Sequence, residues 1–150
     1  MNLLSDIRLK WYDDSSLMLE KKRELIELFL DTLGVSRDVA VDIFEVLVKA
    51  RRDDIGLTTT EIRSEIIKLR KERKVKNIED GLTKRNIQIW LKFFRDIGMI
   101  ERFGFRYRFT KNKTPSVAFK EYTKPDIIDK SAEYMYKLLK EIENRYGIKK

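Results

Sequence analysis

Apolar residues recur at helical spacing in several separate stretches of this chain, and in one place they alternate as they do in a strand pair. Within 17–33, Leu25, Ile26, Phe29, Leu30 and Leu33 share one helical face before Gly34 interrupts it. The pattern restarts with Ala40, Ile43, Phe44, Leu47 and Val48. Ser36 is the expected N-cap of this second helix, which ends at Arg51-Arg52-Asp53-Asp54, ahead of Gly56. Thr58-Thr59-Thr60-Glu61 predicts a capping box: the Thr58 side chain accepts from the Glu61 amide, and the Glu61 side chain accepts from the Thr58 amide. Ile62, Ile66 and Leu69 then mark the inner face of a third helix. Residues 70–81 (RKERKVKNIEDG) carry no such pattern and read as a frayed helix end followed by a loop.

A fourth helix is expected from Leu82-Thr83, capped by Thr83 and closed by Gly98. At about 100° per residue it divides into two faces. Ile87, Trp90, Leu91, Phe93, Phe94 and Ile97 form one, and Lys84, Arg85, Gln88, Lys92, Arg95 and Asp96 form the other. In IERFGFRYRF (100–109), Gly104-Phe105 suits a two-residue hairpin loop with glycine first. Pairing around it sets Phe103 opposite Arg106, Arg102 opposite Tyr107, Glu101 opposite Arg108 and Ile100 opposite Phe109. Residues 110–116 read as a turn-rich break, and Pro125 is the expected start of a last helix that stops at Gly147. In that helix Ile128, Ser131, Met135, Leu138 and Ile142 recur at alternating spacings of three and four, a short heptad-like seam.

Charge changes the picture because of where it lies. The net charge is +8, yet residues 51–120 hold 19 cations against 9 anions, a surplus of ten. Residues 1–50 come to −3 and residues 121–150 to +1. A basic surplus concentrated on the middle of the chain is what a polyanion-binding surface requires. Cys and His are both absent. That removes thiolate and imidazole ligands, cysteine nucleophiles and histidine general bases, so no cofactor and no structural zinc is expected. Carboxylates alone can still hold Mg²⁺, and Asp53, Asp54 and Glu61 are the best cluster for a metal nuclease. The start of the chain lacks the apolar core of a signal peptide, and no apolar run approaches the ~20 residues that span a bilayer. The expectation is a cytoplasmic, nucleoid-associated protein that does not enter membranes.

Residues 39–109 resemble a winged helix-turn-helix domain, a fold of DNA-binding transcriptional regulators. The most specific part, NIQIWLKFFRDIGMIERFGFRYRF (86–109), is similar to a recognition helix that runs into its wing through Leu91, Phe94, Gly98, Met99 and Ile100. TTTEIRSEI (58–66) resembles the second helix of that family. The resemblance implies that Thr83, Lys84, Arg85, Asn86 and Gln88 lie at the major groove, with Lys92 and Arg95 on the same face. It also implies that Arg102, Arg106 and Arg108 act from the wing. Gln and Asn are bidentate partners for adenine, while Lys and Arg neutralise phosphate. Two features depart from the family pattern. The connection at 70–81 is long, which either tilts the recognition helix or supplies Arg73, Lys74 and Lys76 as backbone contacts. The wing is very short, which counts against insertion into a minor groove.

The expected fold class is mainly α with a small β-hairpin: a winged helix-turn-helix core plus amphipathic N- and C-terminal helices. The expected divisions are an N-terminal helical extension at 1–36, the winged-helix domain at 37–112 and a C-terminal segment with a long helix at 113–150. The expected partners are double-stranded DNA and a second copy of the chain, bound through the terminal helices, unless those helices pack in cis. Alternatives are a protein–protein adaptor or assembly subunit, a replication or chromatin-associated DNA binder, and the Mg²⁺ nuclease.

Overall fold

A computed structural model describes residues 1–149. A 3-10 turn at Asp14–Met18 precedes α1 (Lys22–Thr32), α2 (Asp38–Arg52), β1 (Leu57–Thr58), α3 (Thr59–Glu72), α4 (Lys84–Asp96), β2 (Ile100–Phe103) and β3 (Arg106–Phe109). After a second 3-10 turn at Thr110–Asn112, one helical run comprises α5 (Pro115–Ala118), a widened π-helical stretch (Phe119–Ile128) and α6 (Asp129–Arg145). The protein is mainly helical. Its three short strands form one antiparallel sheet in the order β1-β3-β2.

α2 is the axis of the core because it is apolar on most of its circumference. Val39, Ala40, Val41, Ile43, Phe44, Val46, Leu47 and Ala50 are all buried. The Phe44 ring lies 5.3 Å from Phe29 of α1, 5.6 Å from Phe94 of α4 and 5.5 Å from Phe109 of β3. One side chain therefore ties three elements together through tilted and edge-on aromatic contacts. Leu30 of α1, Leu33 just after it and Ala118 of α5 belong to the same buried cluster as the rest.

The local signals at 58–61 and 83–109 hold in detail. Both capping-box hydrogen bonds, Glu61 N to Thr58 Oγ1 and Thr58 N to Glu61 Oε1, measure 3.2 Å. Thr83 caps α4 by accepting from Asn86 N at 3.1 Å. All four cross-strand pairs of β2 and β3 fall in the expected register. Gly104 takes φ +61 while Phe105 keeps a negative φ, the pattern of a type II′ turn. At the end of α4, Gly98 adopts φ +79, and Met99 N returns to Phe94 O at 3.0 Å. A Cβ on Gly98 would stand 3.2 Å from Tyr122 Cβ, so this left-handed turn also seats the π stretch against α4.

Four expectations need correction. Ser36 is not the N-cap of α2; Arg37 holds that position and makes no side-chain cap, leaving Asp38 in the first turn to favour the helix dipole. α1 starts at Lys22 rather than near 17, because a separate 3-10 turn capped by Asp13 occupies Asp14–Met18. Pro125 does not begin the last helix. Pro115 does, in the first turn behind the Thr114 cap, and Pro125 sits inside the π stretch. A proline lacks the N–H that an α-turn needs, and the chain accommodates it with wider turns, such as Asp129 N to Lys124 O.

The fourth correction concerns 70–81, which is anchored rather than frayed. Arg70 is 4% exposed and donates to Asp42 Oδ2 at 2.9 Å, Ile78 O at 2.9 Å and Asp80 O at 2.6 Å. Arg23 of α1 and Arg73 reach the other Asp42 oxygen at 2.7 Å and 3.3 Å. One buried carboxylate thus joins α1, α2, α3 and the connection to α4. α6 is the opposite case, since it has no buried residue along its 17 positions.

Candidate nucleic-acid interface

α4 owes its orientation to its apolar face. Ile87, Leu91 and Phe94 are buried along one side, with Trp90 and Phe93 half-buried beside them. That leaves Thr83, Lys84, Arg85, Gln88, Lys92, Arg95 and Asp96 exposed on the other. Sequence reasoning omitted Ile89, which is 49% exposed on the same outer side. Its place outside the i, i+3, i+4 set of buried positions was the available signal.

The outer face of α4 continues into the hairpin. Gln88, Lys92, Arg95 and Asp96 share a groove of about 580 Å³ with Glu101, Arg102 and Tyr107. Lys92 pairs with Asp96 at 2.6 Å, and Glu101 pairs with Arg108 at 2.7 Å. Among the described residues Lys84, Arg85, Arg95 and Arg102 have no carboxylate partner, so their charge faces solvent without a fixed counter-ion.

The three hairpin arginines do not share one face of the sheet. Strand alternation puts Arg102 on the side of the sheet that meets α4, and Arg106 and Arg108 on the opposite side. Arg102 turns over the loop, donating to Gly104 O at 2.8 Å, with its guanidinium 5.7 Å from the Phe105 ring. Arg106 reaches back to α3, bonding Glu61 at 2.9 Å and Gly56 O at 2.8 Å. Arg108 lies 4.0 Å from the centre of the Phe103 ring. Both of these arginines hold the hairpin in place.

A second basic recess, about 670 Å³, lies at the N-terminal end of α4. Arg37, Arg73, Lys76, Asn77 and Asn86 line it, together with Asp38, Asp80 and Trp90. The connection therefore brings Arg73 and Lys76 beside the recognition-helix candidate, and it adds Arg37 from the start of α2. Lys74 is exposed in a left-handed conformation and does not line the recess. Asn86 is half-buried and donates to Gly81 O at 3.1 Å, so its amide closes the end of the connection. Thr83 is likewise occupied by its cap.

Local charge shifts two hairpin-linked carboxyls. The Thr58 backbone N–H and then its hydroxyl hold Glu61 below its ordinary value of 4.5, and the charge of Arg106 adds to this. Burial pushes Glu101 up, but hydrogen bonds from Arg108 and the Lys111 backbone outweigh it and leave the group lowered.

The carboxylates considered for a metal do not converge. Asp53 pairs with Arg52, Asp54 accepts from Asn112, and Glu61 is held by Thr58 and Arg106. Among the described residues no group of three such side chains is arranged to hold a metal ion. None of the described helices is long and apolar enough to cross a membrane. No family model, curated protein or solved structure matches the chain.

Proposed function

We propose that this protein binds duplex DNA through a winged helix-turn-helix domain and acts as a transcriptional regulator, as a homodimer in the cytoplasm at the nucleoid. The element order α2-β1-α3-α4-β2-β3, with β3 central in the sheet, supports the domain reading. The observation that carries the DNA reading is the outer face of α4. Lys84, Arg85, Gln88, Lys92 and Arg95 stand exposed on one side of a helix whose other side is locked into the core.

In this reading α4 enters the major groove. Lys84 and Arg85 contact phosphate, Gln88 reads a base edge, and Ile89 offers an apolar contact for a thymine methyl. Arg102 reaches the backbone beside the groove, while Arg73, Lys76 and Arg37 meet the flanking phosphates. Arg106, Arg108, Asn86 and Thr83 serve mainly to hold that surface in shape.

Selection of bound fragments from random duplex DNA, repeated at two salt concentrations, tests the proposal. Recovery of a common motif with steeply salt-dependent binding is the expected result. Salt-insensitive binding, or none, overturns it. The exposed apolar face of α6 favours a second reading, a protein–protein adaptor. Retention of a stable protein partner with no bound nucleic acid would support that reading instead.

A further inference from the structure

The recess beside the start of α4 has a charged floor as well as a basic rim. Arg70, only 4% exposed, lines it. Its bonds to Asp42 and to the Ile78 and Asp80 carbonyls engage Nε and Nη1, and among the described residues none engages Nη2. A guanidinium carries five N–H donors, and a buried charged donor is costly to leave without an acceptor. A spare donor on a buried arginine therefore marks this recess as a place for an incoming acceptor.

The rim supports an anion at the same point. Arg73 is committed to Asp42 at 3.3 Å, whereas Arg37 and Lys76 form no ion pair among the described residues. Arg37 also leaves the first-turn amides of α2 without a side-chain cap, and Asp38 and Val39 of that turn line the recess.

Three features ask for more than an anion. Asp38 and Asp80 line the recess, are exposed and form no ion pair among the described residues. A backbone phosphodiester offers them acceptors only, so they need a ligand with N–H donors. Trp90, half-buried and 5.7 Å from the Phe93 ring, adds a flat apolar wall. The volume, about 670 Å³, lies within the ~300–1,000 Å³ of small-molecule sites and far exceeds the needs of a lone phosphate.

We infer that this recess binds a free mononucleotide. Its phosphate meets Arg37, Arg70 and Lys76, its base lies against Trp90, and N–H groups on the base donate to Asp38 or Asp80. Inorganic phosphate lacks the ring and the donors, and an aromatic amino acid brings only one carboxylate to a cluster of cations suited to a dianion. The inference rests on the proposed function for one consequence alone: a bound nucleotide withdraws Arg37 and Lys76 from the flanking DNA phosphates, which makes it an effector. The binding itself needs no DNA.

The chain has two tryptophans, so Trp11→Phe leaves Trp90 as the single indole N–H resonance. Guanosine 5′-monophosphate, titrated into this full-length variant without DNA, should shift that resonance saturably. Guanosine and inorganic phosphate should each bind more weakly by roughly tenfold or more. Arg37→Ala with Lys76→Ala should weaken the nucleotide by roughly tenfold or more. The melting temperature of that variant without ligand should be unchanged, since both side chains are exposed and unpaired. A resonance that does not move at millimolar nucleotide overturns the inference. So does inorganic phosphate binding as tightly as the nucleotide, which would make the recess a simple anion site, and so does a double variant that binds the nucleotide as well as the parent. Since DNA is absent throughout, a failure here leaves the DNA reading standing, and a failure of DNA binding leaves this result standing.

Discussion

Arg70 Nε donates to Asp42 Oδ2 at 2.9 Å, and both side chains are buried, Asp42 completely. This pair links the second turn of α2 to the end of α3, and through the Ile78 and Asp80 carbonyls it fixes the path that positions the start of α4. Removing one partner of such a pair leaves an uncompensated buried charge, at a cost of about 3–5 kcal/mol. Arg70→Met should therefore lower unfolding free energy by that order in a denaturant titration. It should also raise amide exchange across 74–81 by more than across α2. If exchange there is unchanged, the connection does not depend on Arg70.

The opposed faces of the hairpin predict a separation between Arg102 and Arg106. Arg106 is bonded to Glu61 and the Gly56 carbonyl, so Arg106→Ala should reduce stability by about 1 kcal/mol, the scale of an exposed but hydrogen-bonded pair. Arg102→Ala removes only a local turn contact and should leave the melting temperature unchanged while weakening DNA binding. Equal effects of the two substitutions on both properties would show that the hairpin arginines form one functional group after all.

Glu61 and Glu101 give the hairpin a definite acid response. Hydrogen bonds from Thr58 lower Glu61, and in Glu101 burial, which raises the group, is outweighed by Arg108 and Lys111 together, so both titrate below 4.5 in the folded state. A carboxyl lowered by folding contributes its full stabilisation above the unfolded value and loses it as pH falls through the folded value. Hairpin stability should thus be flat from neutral pH to about 5 and decline only in more acidic solution. Carboxyl carbon shifts followed against pH check this directly. A midpoint above 4.5 for either group would contradict the contacts described. With no histidine in the chain, DNA binding should vary little between about pH 6 and 8.

The parts of this architecture that were legible in the sequence are those set by short-range rules. The capping box at Thr58, the cap at Thr83, the stop at Gly98 and the register around Gly104 each depend on a few adjacent residues. The parts that were not legible depend on distant partners. Asp42 stands inside a buried apolar run, Val39-Ala40-Val41 before it and Ile43-Phe44 after it, which signals a buried carboxylate but not which cations serve it. Its partners lie 19, 28 and 31 residues away in sequence. Pro125 misled for the opposite reason: proline usually marks a helix start, and here packing of the π stretch against Gly98 overrides that preference. Of the candidate site, the exposed face of α4 followed from periodicity alone. The register also contained the division of the hairpin arginines between two faces, but the resemblance grouped all three at the wing and that division was not drawn.

The outer face of α4 yields the prediction that most directly tests function. Lys84→Ala combined with Arg85→Ala removes two exposed cations without touching the buried side of the helix, so the fold should be retained. If both contact phosphate, the slope of log affinity against log salt should become shallower by about 2, and affinity should fall for every duplex alike. Gln88→Ala should act differently, relaxing discrimination at one base pair by about 1–3 kcal/mol while leaving the salt slope unchanged. Lys137→Ala with Lys140→Ala changes the net charge by the same amount on α6, far along the chain from this face, and serves as the control. A matched loss in the control would mean that only overall charge matters. A change in slope confined to the α4 variant, with altered selectivity confined to Gln88, would separate phosphate contact from base reading on a single helix.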